Sequence, residues 1–176
     1  MAGLINDILM ISRLEAKDAE VVVSDVRVSV LLEEIIDSLK PAAAAGQVFM
    51  HCDCQPLSIK ANPQQMKELL SNLVSNAVKY NRPGGQVWVN IREKDGNMVA
   101  RVRDNGVGIP QESLDRIFER FYRVDKGRSR KQGGTGLGLS IVKHIVNFYH
   151  GTIRVTSQLD EGTEFVVTIP LNWKDL

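Results

Sequence analysis

Apolar side chains recur along this chain at two spacings, and the switches between them mark out its elements. Leu31, Ile35 and Leu39 follow one another at helical intervals with Glu33, Glu34 and Asp37 opposite, which predicts a helix from Val30 to Ala45 stopped by Gly46. A second helix is expected from Gln64 to Tyr80, where Met66, Leu69, Leu70, Leu73 and Ala77 share a face. Asn62 and Pro63 supply its cap and first turn, and Gln65 completes a capping-box arrangement. The most apolar helix is expected at Leu137 to Tyr149, with Ser140, Lys143, His144 and Asn147 on its polar face. Elsewhere the period falls to two. Strands are predicted at Val48 to Cys54, Leu57 to Lys60, Gln86 to Glu93, Asn97 to Arg103, Thr152 to Ser157 and Glu164 to Ile169, punctuated by the turns NRPGG, KDGN and QLDEG. The β-branched run Val21 to Val30 reads as extended, and Gln111 to Ile117 as a short helical piece. Helices mixed with hairpin-joined strands predict an α+β fold: a two-layer sandwich in which one mixed, mostly antiparallel sheet is covered on one face by about three helices.

Residues 1–20 stand apart from residues 21–176. Leu4, Ile8, Ile11 and Leu14 form one helical stripe away from Asp7, Arg13, Glu15 and Lys17. Such a segment is too short to be stable alone. It reads equally as a helix docked on its own domain or as the cut end of a longer dimerising helix.

Composition narrows the function classes. With 176 residues and 43% hydrophobic content the chain can bury a real core, and a formal charge of +1 leaves no global field to attract nucleic acid or a membrane. No apolar run approaches the roughly 20 residues of a bilayer span and no signal sequence opens the chain, so a soluble, untargeted protein is expected. Cys52 and Cys54 are too few for a disulfide framework. In HCDC, strand alternation separates His51 from both cysteines, which disfavours a metal site.

Candidate chemistry gathers at four places. Asn72, Asn76 and Lys79 fall within about 80° of Glu68 around the second helix, a narrow polar stripe beside its apolar face. A carboxylate, two amides and an ammonium suit a hard cation with its phosphates; a solvated face would favour Glu, Lys or Gln over Asn. In DNGVGIP, Asp104 offers an acceptor to an exocyclic amine, and Gly106 and Gly108 remove side chains where a flat ring could lie; an ordinary Asx turn would also use these residues. GGTGLGLS precedes the third helix, where backbone N–H groups can wrap phosphate oxygens, although it is neither a Walker loop nor a dinucleotide fingerprint. Between them, Phe118, Phe121 and Tyr122 anchor a segment bearing Arg123, Lys126, Arg128, Arg130 and Lys131 against Asp125, which reads as a cationic lid. It has no interleaved aromatics, so nucleic acid is not expected as a partner.

Taken in order, the four motifs resemble those of sensor histidine kinases of two-component systems. Glu68 to Tyr80 is similar to their N box, DNGVGIP to the first glycine box, IFERFYR to the F box and GGTGLGLSIVKHIV to the second glycine box. The match covers Val26 to Leu171 and resembles the catalytic ATP-binding domain, a Bergerat-type sandwich. SRLEA, starting at Ser12, resembles the end of the second dimerisation helix and favours the cut-helix reading of residues 1–20.

The resemblance implies ATP and Mg²⁺ as ligands, with Asn76 and Asn72 on the metal. Neutral amides would hold Mg²⁺ without adding repulsion against a triphosphate. It further implies that Lys79 and Arg123 contact phosphate and that Asp104 takes the adenine amine in a pocket built with Tyr80, Gly106, Gly108 and Ile109. The turn of Gly134, Thr135, Gly136, Leu137 and Gly138 would hold the phosphates, and Glu68 would order a metal-bound water. The catalytic set is then Glu68, Asn72, Lys79 and Arg123. His51, His144 and His150 lack the phosphoacceptor context, so the acceptor histidine is expected outside this chain, on a dimerisation domain. Further expectations are a response regulator as downstream partner, a homodimeric parent with a monomeric fragment, and a cytoplasmic location. Two alternatives are a clamp ATPase of the gyrase and mismatch-repair type and a non-catalytic nucleotide-sensing module.

Overall fold

The computed structural model describes residues 22–124 and 135–175. The stripe at residues 1–20, Gly134 and the basic part of the lid from Asp125 to Lys131 lie outside the described residues. Strand β1 (Ser24–Arg27) leads into helix α1 (Val28–Ala45), followed by β2 (Phe49–Cys54), β3 (Ser58–Ala61) and α2 (Pro63–Lys79). Next come β4 (Gln86–Lys94), β5 (Asn97–Asp104), a 3₁₀ turn (Gln111–Ser113), α3 (Gly138–Phe148), β6 (Thr152–Gln158), β7 (Gly162–Pro170) and a last 3₁₀ turn (Trp173–Asp175).

The expected single sheet is in fact two. Five strands form the main sheet in the order β2-β4-β5-β7-β6, while β1 and β3 pair as a separate antiparallel ribbon. Among the described strand pairs only β2 and β4 are parallel; β3 and α2 supply the long crossover that a parallel pair needs. The ribbon turns Val26 and Ile59, directly paired, into the core.

All three helices pack on the sheet face that presents Val87, Val89 and Ile91 of β4, Met98, Ala100 and Val102 of β5, and Phe165, Val167 and Ile169 of β7. In α2, Leu69, Leu70 and Leu73 are at most 1% exposed, and each such burial stabilises by about 1.5–3 kcal/mol. That apolar face holds the helix, so its other face is free to carry residues chosen for chemistry. The opposite sheet face is polar, with Arg103 over the Trp88 ring. Among the described residues no helix is long and apolar enough to cross a membrane.

Several boundaries differ from the pattern for identifiable reasons. Only Ser24–Arg27 of the β-branched run is extended; Val28 joins Leu31, Leu32 and Ile35 on the buried stripe of α1, so packing overrides propensity. Gly46 caps that helix with an ordinary φ of −83°, and the left-handed position falls on Gln47, φ 54°. The piece after Pro110 is a 3₁₀ turn of three residues rather than a helix to Ile117. KDGN does make the expected hairpin, with positive φ at Asp95 and Gly96. In β2, His51 stacks on Trp88 at 5.9 Å on the open face, and Cys52 and Cys54 alternate to the other face, where burial raises both thiol pKa values. Among the described residues no three metal-binding side chains cluster.

Candidate functional site

The capping residues fix where α2 begins and therefore which way its polar stripe points. Asn62 Oδ1 accepts the Gln65 N–H at 3.0 Å, with Pro63 as the first helical residue. Two and a half turns on, Asn72 meets α3. Its Nδ2 donates to the Glu68 carbonyl at 2.8 Å, which satisfies the amide nitrogen inside the helix. Asn72 Oδ1 then faces α3 so closely that a Cβ at Gly138 would lie 2.5 Å from it. Asn76, one turn later, is half-buried, and its amide has no hydrogen-bond partner among the described residues. The Glu68 carboxylate is turned the other way, accepting from Gln64 Nε2 at 2.9 Å.

At the end of α2 the Lys79 ammonium lies 5.2 Å from the Tyr80 ring centre. Burial first, and the neighbouring Arg123 guanidinium second, hold Lys79 below the usual lysine value. Two cations held beside a half-buried amide make a place that an anion would relieve.

Asp104 closes β5 and is 8% exposed. Its carboxylate accepts the Gly106 N–H at 2.8 Å, and burial raises its pKa against the lowering effect of the Gly106 and Thr163 backbone bonds. The glycines here have a packing reason of their own. A Cβ at Gly106 would sit 2.4 Å from the Tyr80 carbonyl oxygen, and one at Gly108, φ 69°, 2.0 Å from that of Gln158. They let the loop dock on the end of α2 and on the β6–β7 turn, and bonds from Val107 N–H to Tyr80 O (3.1 Å) and from Asp160 N–H to Val107 O (3.0 Å) close those seams. Ile109 is tied by its N–H to Ser157 Oγ at 2.8 Å and packs partly on the core.

The glycine turn before α3 is joined to the F-box segment: Phe121 N–H donates to Gly136 O at 2.9 Å, and a Cβ at Gly136, φ 75°, would meet the Phe121 backbone at 2.9 Å. Leu137 N–H donates to Thr135 Oγ1 at 3.3 Å. Of the three aromatic residues expected as anchors, two serve. Phe118 packs edge-on to Phe165, and the Tyr122 hydroxyl donates to Ser113 Oγ at 3.0 Å. Phe121 does not, being 61% exposed with φ 63°.

The structure thus brings Asn72, Gly136, Leu137 and Gly138 together, sets Lys79, Tyr80 and Arg123 beside them, and ties Gly106 to the same helix end. Glu68 is drawn away. Sequence reasoning passed over Ser157, Gly162 and Thr163, which support the Asp104 loop: Ser157 Oγ donates to Gly162 O and bonds Thr163 Oγ1, and a Cβ at Gly162 would lie 2.0 Å from Asp104 O. It also passed over Asn81 and Asn105, which bond Gln86 O and Gln86 N–H at the start of β4. Only the pairing of β7 with β5 could have revealed the first group.

A two-layer sandwich whose helix faces, glycine turn and strand ends converge in this way defines a class of nucleotide-binding domain. The chain belongs to the family described as histidine kinase-, DNA gyrase B-, and HSP90-like ATPases, whose pattern matches residues 61–172. It is 34% identical over 172 residues to the sensor protein kinase WalK of Staphylococcus haemolyticus, covering 97% of this chain and 28% of that protein. It is 36% identical over 171 residues to the sensor-like histidine kinase SenX3 of Mycolicibacterium smegmatis, covering 97% of this chain and 44% of the relative. The chain therefore spans less than half the length of these relatives. Among solved structures, full-length ShkA in complex with AMPPNP aligns over 96% of this chain and 35% of its own, with TM-score 0.81 and 30% identity. The mycobacterial sensor histidine kinase MprB aligns over 85% and 97%, with TM-score 0.74 and 25% identity. These likenesses do not favour the clamp-ATPase alternative.

Proposed function

We propose that this chain is the ATP-binding catalytic domain of a two-component sensor histidine kinase. The observation that carries the reading is the meeting of the α2 polar stripe with the glycine turn of α3 at Asn72 and Gly138, beside Lys79 and Arg123. Adenine enters the sheet-end pocket, its amine donating to Asp104 among Tyr80, Gly106, Gly108 and Ile109. The triphosphate runs along α2 toward the turn from Thr135 to Gly138, where backbone N–H groups and the helix dipole favour negative charge. Lys79 and Arg123 neutralise its oxygens.

The oxygen donors of Asn76 and Asn72 fit Mg²⁺, a hard cation, and the Asn76 amide has no competing partner among the described residues. When bound, that ion offsets charge on the phosphates. The Glu68 carboxylate would have to leave Gln64 to support an ordered water one turn away. The protein's part is alignment: an imidazole nitrogen on a separate dimerisation hairpin attacks the γ-phosphorus in line, the bond to the β–γ bridging oxygen breaks, and ADP leaves. The phosphoryl group then passes to an aspartate of a response regulator. The parent is read as a homodimer with this domain on the cytoplasmic side and residues 1–20 as the end of its dimerisation helix.

The test is radiolabelled Mg–ATP given to this chain with and without a dimerisation hairpin carrying an acceptor histidine. Acid-labile label should enter the hairpin and almost none the chain alone. Strong incorporation into the chain alone would overturn the reading.

A further inference from the structure

The two helices bearing the proposed phosphate-side groups run antiparallel, touching at Asn72 and Gly138 at one end and at Asn62 and Tyr149 at the other. Contacts between apolar helix faces are weakly directional, so burial alone resists sliding poorly. At the nucleotide end α3 presents a glycine, which has no side chain to interlock. Directional polar bonds at the other end therefore add to the side-chain packing in fixing the register.

Tyr149 closes α3 and is completely buried. Its hydroxyl accepts the Asn62 N–H at 2.9 Å and donates to Gln65 Oε1 in a short, buried bond. The capping box at the start of α2 is therefore completed by a residue from another helix: Asn62 takes the Gln65 N–H, and the phenol stands where Gln65 would have reached back. Burial pushes the phenol pKa up to about 12, so the proton stays in place to be donated. The ring is held between Phe148 at 4.9 Å and Trp173 at 4.7 Å, and the Trp173 indole donates to Lys60 O at 2.6 Å. The phenol cannot swing away without disturbing three elements.

We propose that Tyr149 is a positioning residue for nucleotide binding: its hydroxyl sets the axial register of α2 against α3, and so holds the Asn72 carbonyl against the glycine turn at the far end. This rests on the phosphate-side reading given above. The adenine side depends less on the pin, because Asp104 and its supports belong to β5, β6 and β7 and only the Tyr80 contacts are shared with α2.

The test exploits that difference. Affinities for Mg–AMPPNP and for adenosine are measured by titration for the unmodified chain, Tyr149→Phe, Gln65→Met and the double variant, each checked for folding by its melting curve. Tyr149→Phe keeps the ring and its packing. It should weaken Mg–AMPPNP about threefold to tenfold, the span of one lost hydrogen bond, and leave adenosine within about twofold. Gln65→Met should act in the same sense, and the double variant should be no worse than the poorer single, since both remove one bridge. An equal loss for both ligands, no loss for either, or additive losses would overturn the proposal. If the unmodified chain itself gains nothing from Mg²⁺, the phosphate-side reading fails and takes the pin with it. That result is distinct from intact wild-type binding with unaltered variants, which removes only the pin.

Discussion

The two ends of the proposed nucleotide site are built on opposite principles. Around Asp104 the backbone is knit shut: Gly106, Gly108 and Gly162 each stand where a Cβ would collide with another segment, and main-chain bonds link the loop to α2 and to the β6–β7 turn. Around Asn76 and Lys79 the side chains are gathered, with an Asn76 amide that has no partner among the described residues and the Lys79 and Arg123 cations held close. The first arrangement is finished before any ligand arrives and suits a rigid, flat group. In the function proposed, the second would be completed by a ligand that brings negative charge and a cation of its own. A site made this way can hold its nucleotide by the base while the phosphate end rearranges.

The sharpest way to break this contrast is Asn76→Ala. We expect the affinity for a nonhydrolysable ATP analogue in Mg²⁺ to fall about tenfold to a hundredfold, with affinity in EDTA nearly unchanged. Equal losses with and without the metal would mean that Asn76 serves the fold and not the phosphate end.

A smaller effect is expected from Asp104→Asn, about threefold to tenfold in affinity, since an amide still accepts but without charge. The fold should respond in the opposite sense. Burial raises the Asp104 pKa above its ordinary 3.8, so its protonated form is the one the native state favours. Its contribution to stability is fully present below that ordinary value and is lost as pH rises through the raised one. Asp104→Asn should therefore melt higher than the unmodified chain at neutral pH, with the difference narrowing on acidification. A lower melting temperature at neutral pH would show that the carboxylate is part of the scaffold instead.

The chain announced the phosphate end far more fully than the adenine end. Leu69, Leu70 and Leu73 lie a turn or less from one another, so the orientation of α2, and with it the common face of Glu68, Asn72, Asn76 and Lys79, follows from local spacing. The same holds for the hairpin at Asp95 and Gly96. The packing roles of Gly106 and Gly108 are not legible in the sequence, because the atoms that exclude a Cβ belong to Tyr80 and Gln158, brought close only by the tertiary fold. Gln65 was recognised as part of a cap, yet its side-chain partner is Tyr149, 84 positions away, and no periodicity carries that information. Glu68 shares the stripe but bonds Gln64, since helical spacing sets which face a residue occupies and not how its side chain turns.

The most direct test of the account is a calorimetric titration of the unmodified chain with adenosine and with the ATP analogue AMPPNP, each with and without Mg²⁺. The account predicts that the metal leaves adenosine binding unchanged and tightens the analogue at least about tenfold, the mark of a phosphate end completed by its ligand. An analogue affinity indifferent to Mg²⁺ would contradict it.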